Sequence, residues 1–318
     1  AERTMAVIAK DDCLNNLSLF VSRYSSKMSF TINETWALLS SLESDIKKKI
    51  EEASVPLSHL SLNIFRGVLT GFNTAFIISE SKRNELVNSD PKSAEIIRPI
   101  LRGRDVKRYE FDFSRLWLIS TFPSLNIDID RYPAIKNHLL SFGYERLEQS
   151  GRSHIINGER VKSRKKTNNK WFETQDSISY WDEFSKQKII WKRIGSLIRF
   201  AYDDEGYLGL DSTCMATGNH IKFVSAFLNS VVGNHILSGS PKTGTGDLLI
   251  SVQALDPIRI PLEAENDCLP IIETIHAKSK TKQAFHEEEM ELDTVLFDYY
   301  GFTSKERDFL RKSTAIYR

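Results

Sequence analysis

The chain has 318 residues, 41% of them hydrophobic and 27% charged, with a formal net charge of +1. That length suits two domains or one elaborate one, and no apolar run reaches the roughly 18 residues that a membrane-spanning helix needs. No secretory signal opens the chain, and three widely spaced cysteines, Cys13, Cys214 and Cys268, argue against a disulfide framework or a CxxC zinc site and fit a reducing cytoplasm.

The start, "AERTMAVIAK", lacks an initiating Met, and we read the chain as a piece of a longer polypeptide. Residues 1–32 are a Ser/Asn-rich lead-in. From Asn33, a candidate N-cap, the pattern becomes helical: Trp36, Leu39, Leu42 or Glu43, Ile46 and Ile50 share one face until Pro56. "SLNIFRGVLTGFNTAFIIS" (61–79) reads as two short strands around a Gly-rich turn. Asp90 or Ser89 caps a short helix, running to about Ile97, that Pro91 enters in its first turn. "RLWLIST" (115–121) is a buried strand, and a helix runs from Pro133 to about Leu147. Asn157-Gly158 in "SHIINGERV" marks a hairpin, with the basic loop "KSRKKTNNKW" behind it. "KQKIIWKRI" and "IRFAYDDEGYLGLDSTCMAT" read as strands, the second turning at Asp203–Gly206. Residues 220–237 are helical, 238–247 form a flexible loop, and the acidic tail from Cys268 is helical, with Gly301 a C-cap candidate. The pattern predicts an α+β fold, a mixed or antiparallel sheet flanked by helices. Its expected divisions are 1–58 (helical lead-in), 59–262 (the sheet-bearing unit) and 263–318 (helical segment).

The catalytic signatures are weak. "GSPKTGTG" (239–246) places Lys242 before Gly244, whereas a phosphate loop needs Lys after its last Gly. Asp105 or the Asp128/Asp130 pair could hold a divalent ion for a nuclease, but equally could serve local structure. The histidines make no HxH or HExxH pair, and Cys214 reads as a core thiol. No glycine-rich signature for S-adenosylmethionine is present.

The charge distribution points elsewhere. Residues 98–199 hold 21 Lys/Arg against 12 Asp/Glu, a net of +9, and the remainder 22 against 30, a net of −8. A basic middle between acidic ends suits a polyanionic partner. Three clusters carry the charge. Arg98, Arg102, Arg104, Lys107 and Arg108 lie in "IIRPILRGRDVKRY" (96–109), where Gly103 lets the chain turn and some arginines pair with Asp105 or Asp112. Arg160, Lys162, Arg164, Lys165, Lys166 and Lys170 follow the hairpin turn. Lys186, Lys188, Lys192, Arg193 and Arg199 surround "IIW", either as DNA contacts or as charged flanks of a buried strand. Arginine forks suit phosphates and guanine edges, and lysines neutralise phosphates.

The ordered series "RGVLTGFNTAFII", "DPKSAEIIRPILRGRDVKRY", "RLWLIST", "RYPAIKNHLL", "KWFE", "KQKIIWKRI", "FAYD", "FLNS", "LDPIRIP" and "LDTVLFDYYGFTSKE" resembles the TaqI-like C-terminal specificity domain across about residues 60–310. This is the target-recognition region of single-chain type IIG restriction-modification enzymes and related DNA adenine methyltransferases. The resemblance implies a non-catalytic module in the cytoplasm that recognises double-stranded DNA. Its contacts would be Arg98, Arg102, Arg104, Lys107, Arg108, Arg160, Lys162, Arg164, Lys165, Lys166 and Lys170, with Lys188, Lys192 and Arg193 less central. It also implies an S-adenosylmethionine-dependent methyltransferase domain elsewhere in the polypeptide, often with a magnesium-dependent nuclease. No cofactor or membrane partner is expected of this chain itself. Leu69 departs from the family, which commonly has Lys before the Thr-Gly of this block. Two other readings stay open: a metal-dependent nuclease, and a protein-interaction module of a DNA-modification complex.

Overall fold

The computed structural model describes residues 3–6, 16–29, 39–255 and 257–318. The architecture is α+β, with two four-stranded sheets and a layer of helices. The central sheet is antiparallel throughout and runs in the order Phe200–Asp203, Lys188–Lys192, Thr213–Thr217, Asn63–Arg66. The second sheet runs Leu208–Gly209, Ile97–Leu101, Leu116–Ile119, Ile77–Ser79, and its first pair is parallel.

Alternation along the central strands explains the layering. Ile189, Trp191, Phe200, Tyr202, Cys214 and Ala216 face one core, while Ile190, Ala201 and Met215 face another. Successive side chains of a strand point to opposite faces, so these short apolar runs are strands buried on both sides. The first core is completed by helices Ser41–Glu52, Ile221–Asn229, Val231–Ser238, Glu265–Lys280, His286–Tyr299 and Ser304–Thr314. The second is completed by the second sheet and by helix Pro133–Leu140. Among the described residues no helix is long and apolar enough to cross a membrane.

Several sequence expectations are modified. The first long helix spans Ser41–Glu52, with Ser40 as its N-cap. Ser40 and Glu43 form a reciprocal capping box, which places Leu39 ahead of the helix. Asn33 and Trp36 lie outside the described residues. The two strands of 61–79 pair with different sheets rather than with each other. The Pro133 helix ends at Leu140, because Gly143 takes a positive φ of 88° before a short turn Tyr144–Leu147. Helix 220–237 is two helices, since Ser230 leaves the helical path and caps the second through Gly233 N–H. "IRPIL" adds a strand that periodicity did not reveal.

Candidate nucleic-acid interface

The first basic cluster divides between internal ties and a free charge. Arg102 grips Asp105 with both arms of its guanidinium, Nε–Oδ2 3.0 Å and Nη2–Oδ1 2.9 Å, and also reaches Ser114 Oγ at 2.6 Å. Burial opposes charge on Asp105, but bonds from the Arg102 side chain and backbone and from Ser114 outweigh it and hold its carboxyl below the ordinary value. Arg98 donates to the carbonyls of Ala94 and Ile97. Arg108 donates to Glu289 at 2.6 Å and to the Asn229 carbonyl. Lys107 donates to the Arg104 carbonyl and stands 3.8 Å from Asp112. The Arg104 side chain is exposed and has no partner among the described residues.

The third cluster meets the first at Gly103. The φ of Gly103 is not positive, so the glycine is not there for an unusual turn. Its role is close approach: a Cβ would sit 2.9 Å from Lys192 Cγ and 3.1 Å from the Ser212 carbonyl oxygen. Ser212 Oγ accepts the Gly103 N–H, and the Ser212 carbonyl accepts the Arg193 N–H. Arg104 and Lys192 are therefore neighbours, although they lie far apart in sequence. Lys192 is exposed without an ion pair among the described residues, whereas Arg193 is half-buried. Lys188 departs from expectation. It is fully buried, its Nζ lies 2.5 Å from Asp203 and 2.6 Å from the Phe184 carbonyl, and it faces the inter-sheet core. It cannot reach a solvent-borne ligand.

The second cluster sits on an ordered scaffold. Strands Ser153–Ile156 and Glu159–Lys162 pair antiparallel, with Asn157 and Gly158 at φ 51° and 84°. Two successive positive φ values define the turn that suits a two-residue hairpin. Behind it, Arg164 is 2% exposed, so it too leaves the candidate surface. Its guanidinium donates to four carbonyls, those of Leu147, Thr70, Glu173 and Trp171, at 2.6–3.0 Å. Burial, with the nearby Arg146, lowers its pKa to about 10, so it remains charged at neutral pH. Asn169 adds bonds to the Thr174 and Gln175 carbonyls. The basic loop behind the hairpin is thus pinned from inside. Lys162, Lys165 and Lys166 project from it, exposed and without ion pairs among the described residues. Arg160 is exposed and touches Ser153 Oγ, and Lys170 stands 3.8 Å from Glu173.

The suspected catalytic carboxylates have other duties. Asp105 is saturated by Arg102 and Ser114, Asp128 accepts the Asp130 N–H at the start of a short helical turn, and Asp130 pairs with Lys136. No group of three His, Cys, Asp or Glu side chains converges on a metal-sized site among the described residues. Burial pushes the Cys214 thiol up to about 11. Sequence reasoning passed over exposed cations that lie outside basic runs, Arg66 and Arg152 among them. Arg66 ends the central edge strand opposite Cys214, and Arg152 precedes the hairpin. Neither belongs to a basic run, the feature by which the other clusters were found.

Residues 98–247 match the TaqI-like C-terminal specificity domain, and all three basic clusters fall within them. The type IIL restriction-modification enzyme MmeI, solved in complex with DNA, aligns over 82% of this chain and 35% of its own, at 12% identity and a TM-score of 0.50. The type IIG restriction endonuclease BpuSI aligns over 84% of this chain and 33% of its own, at 12% identity and a TM-score of 0.44. This chain therefore spans about a third of the length of those enzymes, and the likeness to MmeI is one of fold. No curated protein matches the chain. The likeness to the TaqI-like C-terminal specificity domain thus extends over residues 98–247, a little under half of the chain.

Proposed function

We propose that this chain is the double-stranded DNA recognition module of a larger, cytoplasmic restriction-modification enzyme of the type IIG kind. Methyl transfer from S-adenosylmethionine to adenine, and any magnesium-dependent cleavage, would belong to other domains of that polypeptide. The observation that carries the reading is how the specificity-domain segment disposes of its charge. Arg98, Arg102, Arg108, Arg164 and Lys188 are consumed by internal partners. Arg104, Lys162, Lys165, Lys166 and Lys192 are exposed and have no ion pair among the described residues. Unpaired cations on a rigid frame suit phosphates, whose neutralisation releases counterions.

The test is fluorescence anisotropy with duplex DNA across a salt series. Affinity should fall steeply with salt, with a log–log slope of about −0.9 per phosphate contacted. Arg104→Ala should make that slope shallower by about 1. Binding that is absent, or indifferent to salt, would overturn the reading.

A further inference from the structure

The hairpin Ser153–Lys162 has two unlike faces. Residues directly opposite one another on antiparallel strands share a face. The register pairs Ser153 with Lys162 and Ile155 with Arg160, so these four side chains stand together, and all four residues are exposed. The Arg160–Ser153 bond runs across that face. The other face carries His154, Ile156 and Val161, all half-buried, with His154 Nε2 2.5 Å from Glu148. Glu159, the one acidic residue of the ribbon, pairs with Ile156 and lies on this second side. Ile155 is 72% exposed, the most exposed of the large hydrophobic residues described. It therefore stands on a face whose charged residues are both cations, with Arg160 across from it and Lys162 one rung away, and Lys165 and Lys166 follow in the chain. Gly158 has open space around it, which leaves the tip unobstructed.

We propose that this ribbon enters the DNA major groove and that Ile155 packs against the C5-methyl group of a thymine, making it a specificity-determining residue. The inference rests on the DNA-recognition reading above. The groove choice follows from size: the major groove, about 12 Å wide, admits a two-stranded β-ribbon, whereas the minor groove is about half as wide. The target follows from chemistry. The one apolar group that the base edges present in the major groove is the thymine methyl, and an aliphatic side chain is its natural contact. The cations around Ile155 neutralise the phosphates that line the groove walls, and the Arg160 fork lies within the same rung for a base edge or a phosphate.

The experiment begins by selecting bound duplexes from a library with a randomised centre, using the full 318-residue chain. Each thymine of the selected sequence is then replaced singly by deoxyuridine, which removes only the methyl. At one thymine the wild type should lose about fourfold in affinity, the worth of burying one methyl group. Ile155→Ala should bind both duplexes equally, and Ile155→Val should keep the discrimination. Because Ile155 is exposed, Ile155→Ala should leave the circular dichroism spectrum unchanged. If a sequence is selected but no uracil substitution separates wild type from Ile155→Ala, the thymine contact is wrong while DNA recognition stands. If the chain binds no duplex, or binds without sequence preference, this inference fails with the recognition reading.

Discussion

Asp105 accepts hydrogen bonds from the Arg102 backbone N–H, both arms of the Arg102 guanidinium and the Ser114 hydroxyl. Arg102 is therefore a structural cation and Arg104, two residues on, an available one. Arg102→Ala would leave a buried carboxylate without its counter-ion and should cost about 3 kcal/mol of folding stability. Arg104→Ala should stay within about 0.5 kcal/mol while weakening DNA binding. The pH dependence follows from the depressed Asp105 pKa. A carboxyl held lower in the folded than in the unfolded chain adds stability above its unfolded pKa, and that stability is lost as pH falls through the folded value. Asp105→Asn should therefore be less stable than wild type at neutral pH, and the gap should close below about pH 4. Urea denaturation over a pH series reads this directly. A gap that stays constant down to acid pH would show that the carboxylate charge does not hold the turn.

At the scale of elements, the loop after the hairpin depends on one side chain. Arg164 links the carbonyls of Leu147, Thr70, Glu173 and Trp171, which belong to three separate stretches of chain. Arg164→Ala removes those donors together and leaves buried carbonyls unsatisfied, so a loss of about 3–5 kcal/mol is expected. Native-state hydrogen exchange should show the Gly151 and Thr167 amides, bonded to Arg164 and Gln149 carbonyls, losing protection. Protection kept at both amides would mean that the loop is ordered by something else. The hairpin itself was legible in the sequence because Asn157-Gly158 acts through its own backbone. The burial of Arg164 was not, since one of its acceptors is 94 residues away. Lys188 misled for a similar reason. A lysine beside "IIW" reads as a charged flank until the sheet register sets it opposite Asp203. Both are basic residues inside basic runs, and only tertiary contacts separate the buried members from the exposed ones.

On the scale of the whole molecule, the question is whether the C-terminal helices stand apart from the recognition sheet. Sequence alone favoured a division near residue 263, because composition turns acidic and helical there. The side chains cross that line. Ile272, Ile275, Leu292, Leu296, Phe297 and Leu310 share one core with Trp191, Phe200 and Cys214 of the central sheet. Charge crosses it too, through Arg108 to Glu289 and Lys282 to Glu110. Glu289 thus neutralises Arg108 and anchors the "RGRDVKRY" segment on helix His286–Tyr299, while the Lys282–Glu110 pair ties the two regions with the opposite polarity. A shared core implies one cooperative transition. Leu296, fully buried, reports on it. Leu296→Ala should lower stability by about 3 kcal/mol, and tryptophan fluorescence, which senses Trp191 in the sheet, should shift together with far-UV circular dichroism. If the helical signal melted early while the fluorescence transition stayed at its wild-type position, the helices would be a separate folding unit. In the coupled case, a lesion on the far side of the sheet loosens the segment bearing Arg104, and DNA affinity falls near the melting midpoint in step with the folded fraction.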